Sequence, residues 1–171
     1  MTRSLSIGVY GARGVPSTYS GYETFLSTML PQLVERGHDV TMYCRRSDGF
    51  EPTDWQGVHR RVLPDLSGKT TSTLSHGLLT ALAARRARHD VVLVVNVANA
   101  AYCAVGRFTG QPTVLNTDGQ EWKRGKWGRL ARSVFRGSAH LSRWSATALV
   151  SDCQAMADIY VDQCRAPSTV I

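Results

Sequence analysis

Two carboxylates and two cations stand within seven residues of each other in the stretch TDGQEWKR. They are Asp118, Glu121, Lys123 and Arg124. Carboxylates can orient or activate a hydroxyl group, and basic side chains bind anions. A purely structural interpretation is also open, in which each carboxylate caps a loop or pairs with a neighbouring cation. Trp122, between them, is either a platform for a bound ligand or a packing residue.

A glycine-rich stretch near the start, YGARGVPSTYSGYETF, is a second candidate site. Gly11, Gly14 and Gly21 interrupt it between an apolar run and a helical pattern. Glycine lets the backbone approach an anion, and the helix that follows offers free N–H groups. Ser20 and Glu23 also have the spacing of a capping box, which gives them a structural interpretation. Neither the P-loop pattern nor the dinucleotide fingerprint G-x-G-x-x-G occurs in this stretch.

Apolar runs alternate with helical patterns along the whole chain. The runs predict strands at 5–10, 39–44, 58–64, 90–96, 147–152 and 167–171, and a strand with its C-terminal loop at 112–119. The helical patterns cover 22–37, 73–89, 100–108, 127–146 and 153–164, and 66–73 is predicted as a loop. This alternation predicts an α/β fold with a doubly wound, mostly parallel, Rossmann-like sheet. Ligands bind such sheets beyond the carboxyl ends of the strands, where both candidate stretches would lie.

Composition restricts the partners of the chain. Its 171 residues suit one domain, and a net charge of +7 favours an acidic partner such as a nucleotide, a phospholipid surface or a nucleic acid. Good solubility is the alternative explanation of that charge. The four cysteines form no C-x-x-C pair. The five histidines, among them His89, have no metal-binding spacing and are expected at the surface or on helices. Cys44 and Cys103 lie in apolar surroundings and are interpreted as reduced core residues, so we expect a cytoplasmic protein. No apolar run is long enough to span a membrane.

Basic residues continue from the TDGQEWKR stretch into the predicted helix at 127–146. Arg129, Arg132 and Arg136 share one face of that helix by their spacing. This face is either a peripheral contact with anionic lipid at the inner face of the plasma membrane or an ordinary solvated surface.

The segment GARGVPSTYSGYETF resembles the opening of bacterial retaining glycosyltransferases of family 4, which have the GT-B fold. It is most similar to the rhamnosyltransferase-like branch, although Ser20 replaces a glycine of that pattern. The segment NTDGQEWKRGKWG resembles a second motif of the branch. VERGHDVTMYCR and LVSDCQAMADIY resemble passages that are shared widely among GT-B enzymes.

The resemblance implies roles for particular residues. Arg13, Ser20, Gly21 and Tyr22 would contact the diphosphate of a nucleotide-sugar donor. Asp118 and Glu121 would be the catalytic carboxylates, orienting a hydroxyl while the leaving phosphate takes the proton. The residues that would bind the acceptor, a glycan or a polyprenyl-linked sugar, are Asn99, Trp122, Lys123 and Arg124. Turn formation is an equally good explanation of Asn96 and Asn99. No metal or other cofactor is expected.

The resemblance also implies only half of an enzyme. The E-x7-E motif of the donor-binding half does not occur, so residues 1–171 are expected to form one acceptor-side domain without the C-terminal donor-binding domain. Such a domain would be inactive alone and would serve cell-surface polysaccharide synthesis. Two other functions stay open. The first is an NADP-binding oxidoreductase domain, because Arg45 and Arg46 follow the second predicted strand, where they could bind a 2′-phosphate. The second is a nucleic-acid or partner-binding module that uses the basic face. In the glycosyltransferase interpretation no nucleic acid is expected.

Overall fold

The computed structural model describes residues 3–66, 69–117, 119–123, 125 and 128–171. Its internal contacts divide the chain into two compact units, Met1–Leu93 and Val94–Ile171. The sequence predicted one domain over the same residues, and that prediction stays untested. Each unit is built from strands that alternate with helices, as the apolar runs predicted.

The first unit contains the amino-terminal strands and two long helices. In chain order they are β1 (Ser6–Tyr10), α1 (Gly21–Glu35), β2 (Asp39–Arg45), β3 (His59–Leu63), α2 (Lys69–Ala87) and β4 (Val91–Val94), whose last residue opens the second unit. β2 pairs in parallel with β1, with Val9 opposite Met42, and also with β3. Leu26 and Leu30 of α1 are fully buried, as are Val9 and Met42, so the apolar stripe of the helix forms the core with these strands.

The second unit repeats the alternation with short strands of two to four residues. Its elements are α3 (Ala100–Thr109), β5 (Thr113–Asn116), α4 (Arg129–Ser145), β6 (Ala148–Ser151), α5 (Gln154–Cys164) and β7 (Thr169–Val170). β6 pairs in parallel with β5 and β7. Leu115 of β5, Ala139 of α4 and Tyr160 of α5 are completely buried.

The strand order is β3-β2-β1-β4-β5-β6-β7. This order places the first strand inside the sheet, with successive strands added outward on either side, which is the doubly wound arrangement. The predicted α/β, Rossmann-like fold class is therefore confirmed. Within the described part of the chain, no helix is both long enough and apolar enough to cross a bilayer.

The start of α2 differs from the prediction. Residues 66–73 were predicted as a loop because their serines and threonines show no apolar period, but α2 already begins at Lys69. Polar contacts replace the missing apolar ones. The Ser72 hydroxyl donates to the Asp65 carboxylate, and the Ser75 hydroxyl oxygen lies 3.0 Å from the backbone N–H of Leu66, which donates to it. Residues just before the helix thus supply hydrogen-bond partners for the serine side chains of its first turns.

His89 was expected at the surface or on a helix, and this expectation was wrong. Its ring follows α2 and is only 7% exposed. Nδ1 lies 2.9 Å from the Ser6 hydroxyl, and Nε2 lies 2.9 Å from the Tyr43 hydroxyl. Gly8 leaves the space for the ring, because a β-carbon there would come within 2.5 Å of the His89 Cδ2 atom. Residues distant in sequence form this environment, so local patterns did not reveal it.

Acidification is expected to destabilise the fold through His76 and His89. Burial lowers the pKa of both imidazoles, so the folded chain binds protons less readily there than the unfolded chain does. The contribution of the two neutral histidines to the free energy of unfolding is complete above the unfolded histidine pKa of about 6.5. It is lost as the pH falls, by up to about 1.4 kcal/mol per pH unit for each histidine. Denaturant unfolding, followed by circular dichroism between about pH 8 and about pH 5, measures this slope.

The matched variants for this experiment are His89→Gln and His140→Gln. We expect His89→Gln to flatten the pH slope, and His140→Gln, on the exposed side of α4, to leave it unchanged. The raised pKa of His59, caused first by its hydrogen bond with Asp54, acts in the opposite sense. It acts weakly because that side chain is half exposed. An unchanged slope in His89→Gln would contradict the assignment.

Candidate functional site

The glycine-rich loop, residues 11–20, is held in place by packing and by backbone hydrogen bonds. A β-carbon on Gly14, which has a φ of 152°, would lie 2.6 Å from Cε2 of Phe50 and 2.9 Å from the Cys44 sulfur. Glycine is therefore required there for close packing as well as for its backbone angle. The N–H of Arg45 donates to the carbonyl of Arg13 at 2.8 Å. The loop is thus fixed against the end of β2 by contacts within the protein.

A buried carboxylate ties this loop to the start of α1. Glu23 is 3% exposed, and its Oε1 atom accepts a 3.0 Å hydrogen bond from the N–H of Arg13. Its Oε2 atom accepts from the hydroxyl of Ser20, the N-cap residue of α1. The predicted capping box is therefore wrong, since the Ser20 side chain makes no bond to the helix backbone. Glu23 lies in the first turn, where the helix dipole stabilises negative charge.

Arg13, predicted to contact a diphosphate, is held by protein groups in this structure. Its Nη1 atom lies 2.9 Å from the Asp48 carboxylate, and its guanidinium lies 3.4 Å from the centre of the Tyr19 ring. The Arg13 side chain remains about one-third exposed, at 34%. A ligand anion at this loop would share Arg13 with Asp48.

Gly21 is the first residue of α1 and lies at the surface. A β-carbon added to it would meet no other atom within 4 Å. The N–H groups in the first turn of a helix have no partner within the helix, so this position can receive an anion. Tyr22, the next predicted contact, is half-buried. The diphosphate-binding roles of Ser20, Gly21, Tyr22 and Arg13 stay predictions.

A second polar cluster lies near the end of β2 and was not predicted. Asp65 accepts hydrogen bonds from the Ser72 hydroxyl, from the Ser47 hydroxyl at 2.7 Å and from the Ser47 N–H at 3.2 Å. Burial raises the pKa of Asp65, but these hydrogen bonds outweigh it and leave the pKa below its usual value. Burial also lowers the pKa of Arg45, whose Nη1 atom lies 3.4 Å from Ser72. The serines gave no signal in the sequence because they matched a loop composition.

In the second unit, three of the predicted residues share one short turn. Glu121, Trp122 and Lys123 form a single 3-10 turn. The Trp122 ring meets the buried Tyr160 ring edge to face, with 6.0 Å between centres and 71° between planes. Asp118 and Arg124, the other predicted residues of this stretch, lie outside the described residues. The catalytic roles of Asp118 and Glu121 therefore stay predictions, as do the acceptor-binding roles of Lys123 and Arg124.

Asn99 and Asn96 both make hydrogen bonds within their own turn. Asn99 is 1% exposed, and its Nδ2 atom donates to the carbonyl of Val95 at 3.1 Å. Asn96, with a φ of 70°, accepts from the N–H of Ala98 at 3.0 Å. The amide hydrogens of Asn99 are thus used inside the protein. Its acceptor-binding role stays a prediction, and the geometry favours turn formation, the other interpretation of these residues.

An open cleft of about 540 Å³ lies on the outer side of α4. It is lined by Trp122, Arg129, Arg132, Ser133 and Arg136. The sequence predicted that the arginines share a face, and the structure adds the tryptophan and serine beside them. Trp122 is therefore both a packing residue, through Tyr160, and part of a ligand-accessible surface.

Glu23→Ala is expected to loosen the glycine-rich loop. The change removes the acceptor of the Arg13 N–H and of the Ser20 hydroxyl, which should cost about 1–3 kcal/mol of unfolding free energy. Glu23→Gln should retain most of the stability. Its amide oxygen can accept from Arg13, and its NH2 group can donate to Ser20. Denaturant unfolding and amide hydrogen exchange of residues 11–20 measure both effects.

The matched control is Glu35→Ala, which removes an exposed carboxylate from the last turn of the same helix. It should change neither the exchange of the loop nor, by more than about 0.5 kcal/mol, the stability. Equal exchange rates in Glu23→Ala and Glu35→Ala would show that Glu23 does not hold the loop.

Comparison with known proteins identifies a family that this chain matches. The family described as "Glycosyl transferase 4-like domain" matches residues 20–171, which is most of the chain. No curated protein matches the chain in sequence. The family match begins at Ser20, the N-cap of α1, and includes both the TDGQEWKR stretch and α4.

Solved structures with the same fold are glycosyltransferases. Anabaena Alr3699/HepE in complex with UDP and glucose has a TM-score of 0.63 and 10% identity, covering 98% of this chain and 44% of that one. Arabidopsis thaliana UGT89C1 complexed with quercetin has a TM-score of 0.57 and 13% identity, covering 98% and 49%. The chain thus spans less than half the length of these structures, and the likeness to them shows the fold of a GT-B half. By the match over residues 20–171, the chain belongs to the glycosyl transferase 4-like domain family.

Proposed function

We propose that this chain is the acceptor-side, N-terminal half of a retaining glycosyltransferase that uses a nucleotide-sugar donor. The observation that carries the proposal is the exposed start of α1 at Gly21, beside a loop already fixed by Glu23 and next to Arg13. A helix start of this kind binds phosphate groups, and preformed donors lose little free energy in reorganisation when charge develops. The solved structures support a nucleotide ligand, since Alr3699/HepE was solved with UDP and glucose.

In the proposed reaction the bond between the sugar C1 and the donor diphosphate breaks. A new bond forms from C1 to the acceptor hydroxyl oxygen on the same face of the sugar. The hydroxyl proton passes to the leaving phosphate oxygen, so no protein base and no metal is required. Gly21, Tyr22 and Arg13 would stabilise the negative charge that the diphosphate gains, with Ser20 beside them. Asp118 and Glu121 would orient the acceptor hydroxyl.

The acceptor in this proposal is a glycan or a polyprenyl-linked sugar that Asn99, Trp122, Lys123 and Arg124 would contact. Cell-surface polysaccharide synthesis in the cytoplasm, and membership of the rhamnosyltransferase-like branch, belong to the same proposal. They rest on the sequence resemblance, while the family match supports the transferase itself. The nucleotide would also contact a second half of the enzyme, because the similar solved structures are about twice as long as this chain.

Gly21→Ala is expected to weaken binding of UDP to the 171-residue chain by roughly tenfold to a hundredfold, the loss of one charge-assisted hydrogen bond. The added methyl group fits the free protein, because nothing lies within 4 Å of it, but it blocks close approach of a phosphate. Chemical-shift titration of the backbone amides of residues 11–24 measures the affinity at this site alone.

Gly137→Ala is the matched control, since it makes the same change in another helix and also meets no atom within 4 Å. It should leave UDP binding unchanged. Equal affinities of UDP for Gly21→Ala and for the unaltered chain would contradict the proposal. Tighter binding of NADP than of UDP at these amides would favour the oxidoreductase alternative instead.

The 171-residue chain alone is expected to transfer no sugar. Its relatives in the solved structures are about twice its length, and the donor would need contacts from the remaining half. Product analysis with UDP-sugars and a set of simple glycan acceptors tests this expectation. Transfer by the purified chain would show that one half is sufficient.

A further inference from the structure

The side of α2 that faces the solvent is apolar. Four of its leucines are at least 37% exposed, namely Leu74, Leu78, Leu79 and Leu82. At about 100° per residue they lie within an arc of about 140° of the helix surface. Buried residues occupy the rest of the circumference, namely His76, Thr80, Ala81 and Ala84. The core of the first unit therefore does not account for these four leucines.

The apolar face continues beyond the start of the helix. Leu66, just before α2, is 64% exposed, and its N–H donates to the hydroxyl of Ser75. Ser75 lies within the same arc as the leucines, so this hydrogen bond holds Leu66 beside them. Exposed leucines that form one continuous surface typically mark contact with another molecule.

Opposite charges lie at the two ends of this face. Near the start of α2, the Asp65 carboxylate accepts a hydrogen bond from the Ser72 hydroxyl. In the last turn, Arg85 and Arg86 lie within the arc of the leucines. The helix itself has no acidic residue, and no ion pair of the described residues involves either arginine. The face is therefore acidic at one end, apolar in the middle and basic at the other end.

The apolar middle of the face is complementary to a second copy of itself. Two copies of α2 can pack antiparallel about a two-fold axis that passes between Leu78 and Leu79. Residues equally far from the axis along the two helices then face each other. Leu78 meets Leu79 of the second copy, and Leu82 meets Ser75 together with Leu66. Leucines four residues apart, such as Leu78 and Leu82, form the ridge that packs into the facing helix.

The same arrangement brings opposite charges together at both ends. Ser72 and Arg85 are equally far from the axis, so Arg85 of one copy lies beside Ser72 of the other. The hydrogen bond from Ser72 to Asp65 places the carboxylate next to that arginine. A parallel arrangement of the two helices would instead place arginines against arginines, which repel each other.

We propose that the exposed face of α2 binds a second copy of this chain, with the two helices antiparallel about the axis between Leu78 and Leu79. The leucines form the centre of the interface, and pairs of Asp65 with Arg85 form its two ends. A lipid surface would cover the leucines but would leave Asp65 without a role. An acidic protein of another kind would attract the arginines but repel Asp65. A second copy complements all three parts of the face, and the inference does not depend on the donor site at Gly21.

Sedimentation equilibrium of the 171-residue chain measures this association. One helix pair buries less than the roughly 800 Å² per partner of a standard interface, so we expect a weak dimer, with a dissociation constant of about 10–100 μM. In the α2 leucine variant, Leu78→Gln with Leu82→Gln, the constant should rise at least about tenfold. Glutamine is a good helix former, so the helix is retained. The matched control is Leu130→Gln with Val134→Gln, which changes two exposed apolar residues of α4 and should leave the constant unchanged.

A charge reversal tests the ends of the interface. Arg85→Glu places two carboxylates together at each end, so the dissociation constant should rise by about fivefold at low salt and by less at high salt. Arg36→Glu makes the same change at an exposed arginine that follows α1 and should have no such effect.

The position of the axis is tested by cross-linking in a Cys153→Ser background, because Cys153 is the exposed one of the four native cysteines. Leu78→Cys lies next to the axis and therefore next to its own counterpart, so mild oxidation should form a disulfide between the copies. Leu74→Cys is the matched control on the same face. Its counterpart lies about 13 Å further along the helices, beyond the reach of a disulfide, so it should remain reduced.

A chain that stays monomeric up to about 500 μM would overturn the proposal, since that concentration exceeds the expected dissociation constant. Unchanged association of the α2 leucine variant would also overturn it and would assign the dimer to another surface. Equal cross-linking of Leu78→Cys and Leu74→Cys would contradict the antiparallel axis. If the monomeric chain instead sediments with phosphatidylglycerol vesicles, and the α2 leucine variant does not, the face belongs to a lipid surface and the proposal is wrong.

Discussion

The buried carboxylate of Glu23 is the contact on which the candidate donor site depends. It accepts from the backbone of Arg13 and from the Ser20 hydroxyl, and thereby joins the middle of the glycine-rich loop to the first turn of α1. A negative charge in a site suited to anions would ordinarily compete with the ligand. Here it lies on the protein side of the loop, 3% exposed, while Gly21 faces the solvent. The helix dipole therefore stabilises one internal anion and still leaves an open position for an external one.

The arginines of the two units are used in different ways. In the first unit two of them stand near carboxylates, since Arg13 contacts Asp48 and Arg45 lies near Asp48 and Asp65. Such pairs fix side chains and contribute little net charge to the surface. On α4 the arginines line an open cleft, and no ion pair of the described residues involves those in the cleft. Part of the net charge of +7 is therefore concentrated on this helix, which the composition alone does not reveal.

The strands were predictable from the sequence, because buried parallel strands consist of short apolar runs with clear ends. Polar segments were not predictable in the same way. Ser20 and Glu23 have the spacing of a capping box, yet the Ser20 hydroxyl donates to the Glu23 carboxylate, which also accepts from the N–H of Arg13. The same two residue types at the same spacing allow either set of hydrogen bonds, so the sequence does not distinguish them. The start of α2 was missed because its first turns are satisfied by Asp65 and by the backbone of Leu66. The wall of the cleft formed by Trp122 depends on a tertiary contact with Tyr160, for which sequence spacing has no signal.

The close approach of His89 to Gly8 restricts how this protein can vary in evolution. A β-carbon at position 8 would stand 2.5 Å from the imidazole, so a side chain there is excluded unless the histidine ring or the strand shifts. A smaller residue at position 89 would remove that exclusion, but it would also leave the Ser6 and Tyr43 hydroxyls without their imidazole partner. A change at position 8 is therefore easier after a change at position 89 than before it. Lineages that keep the histidine should retain glycine in the middle of their first strand.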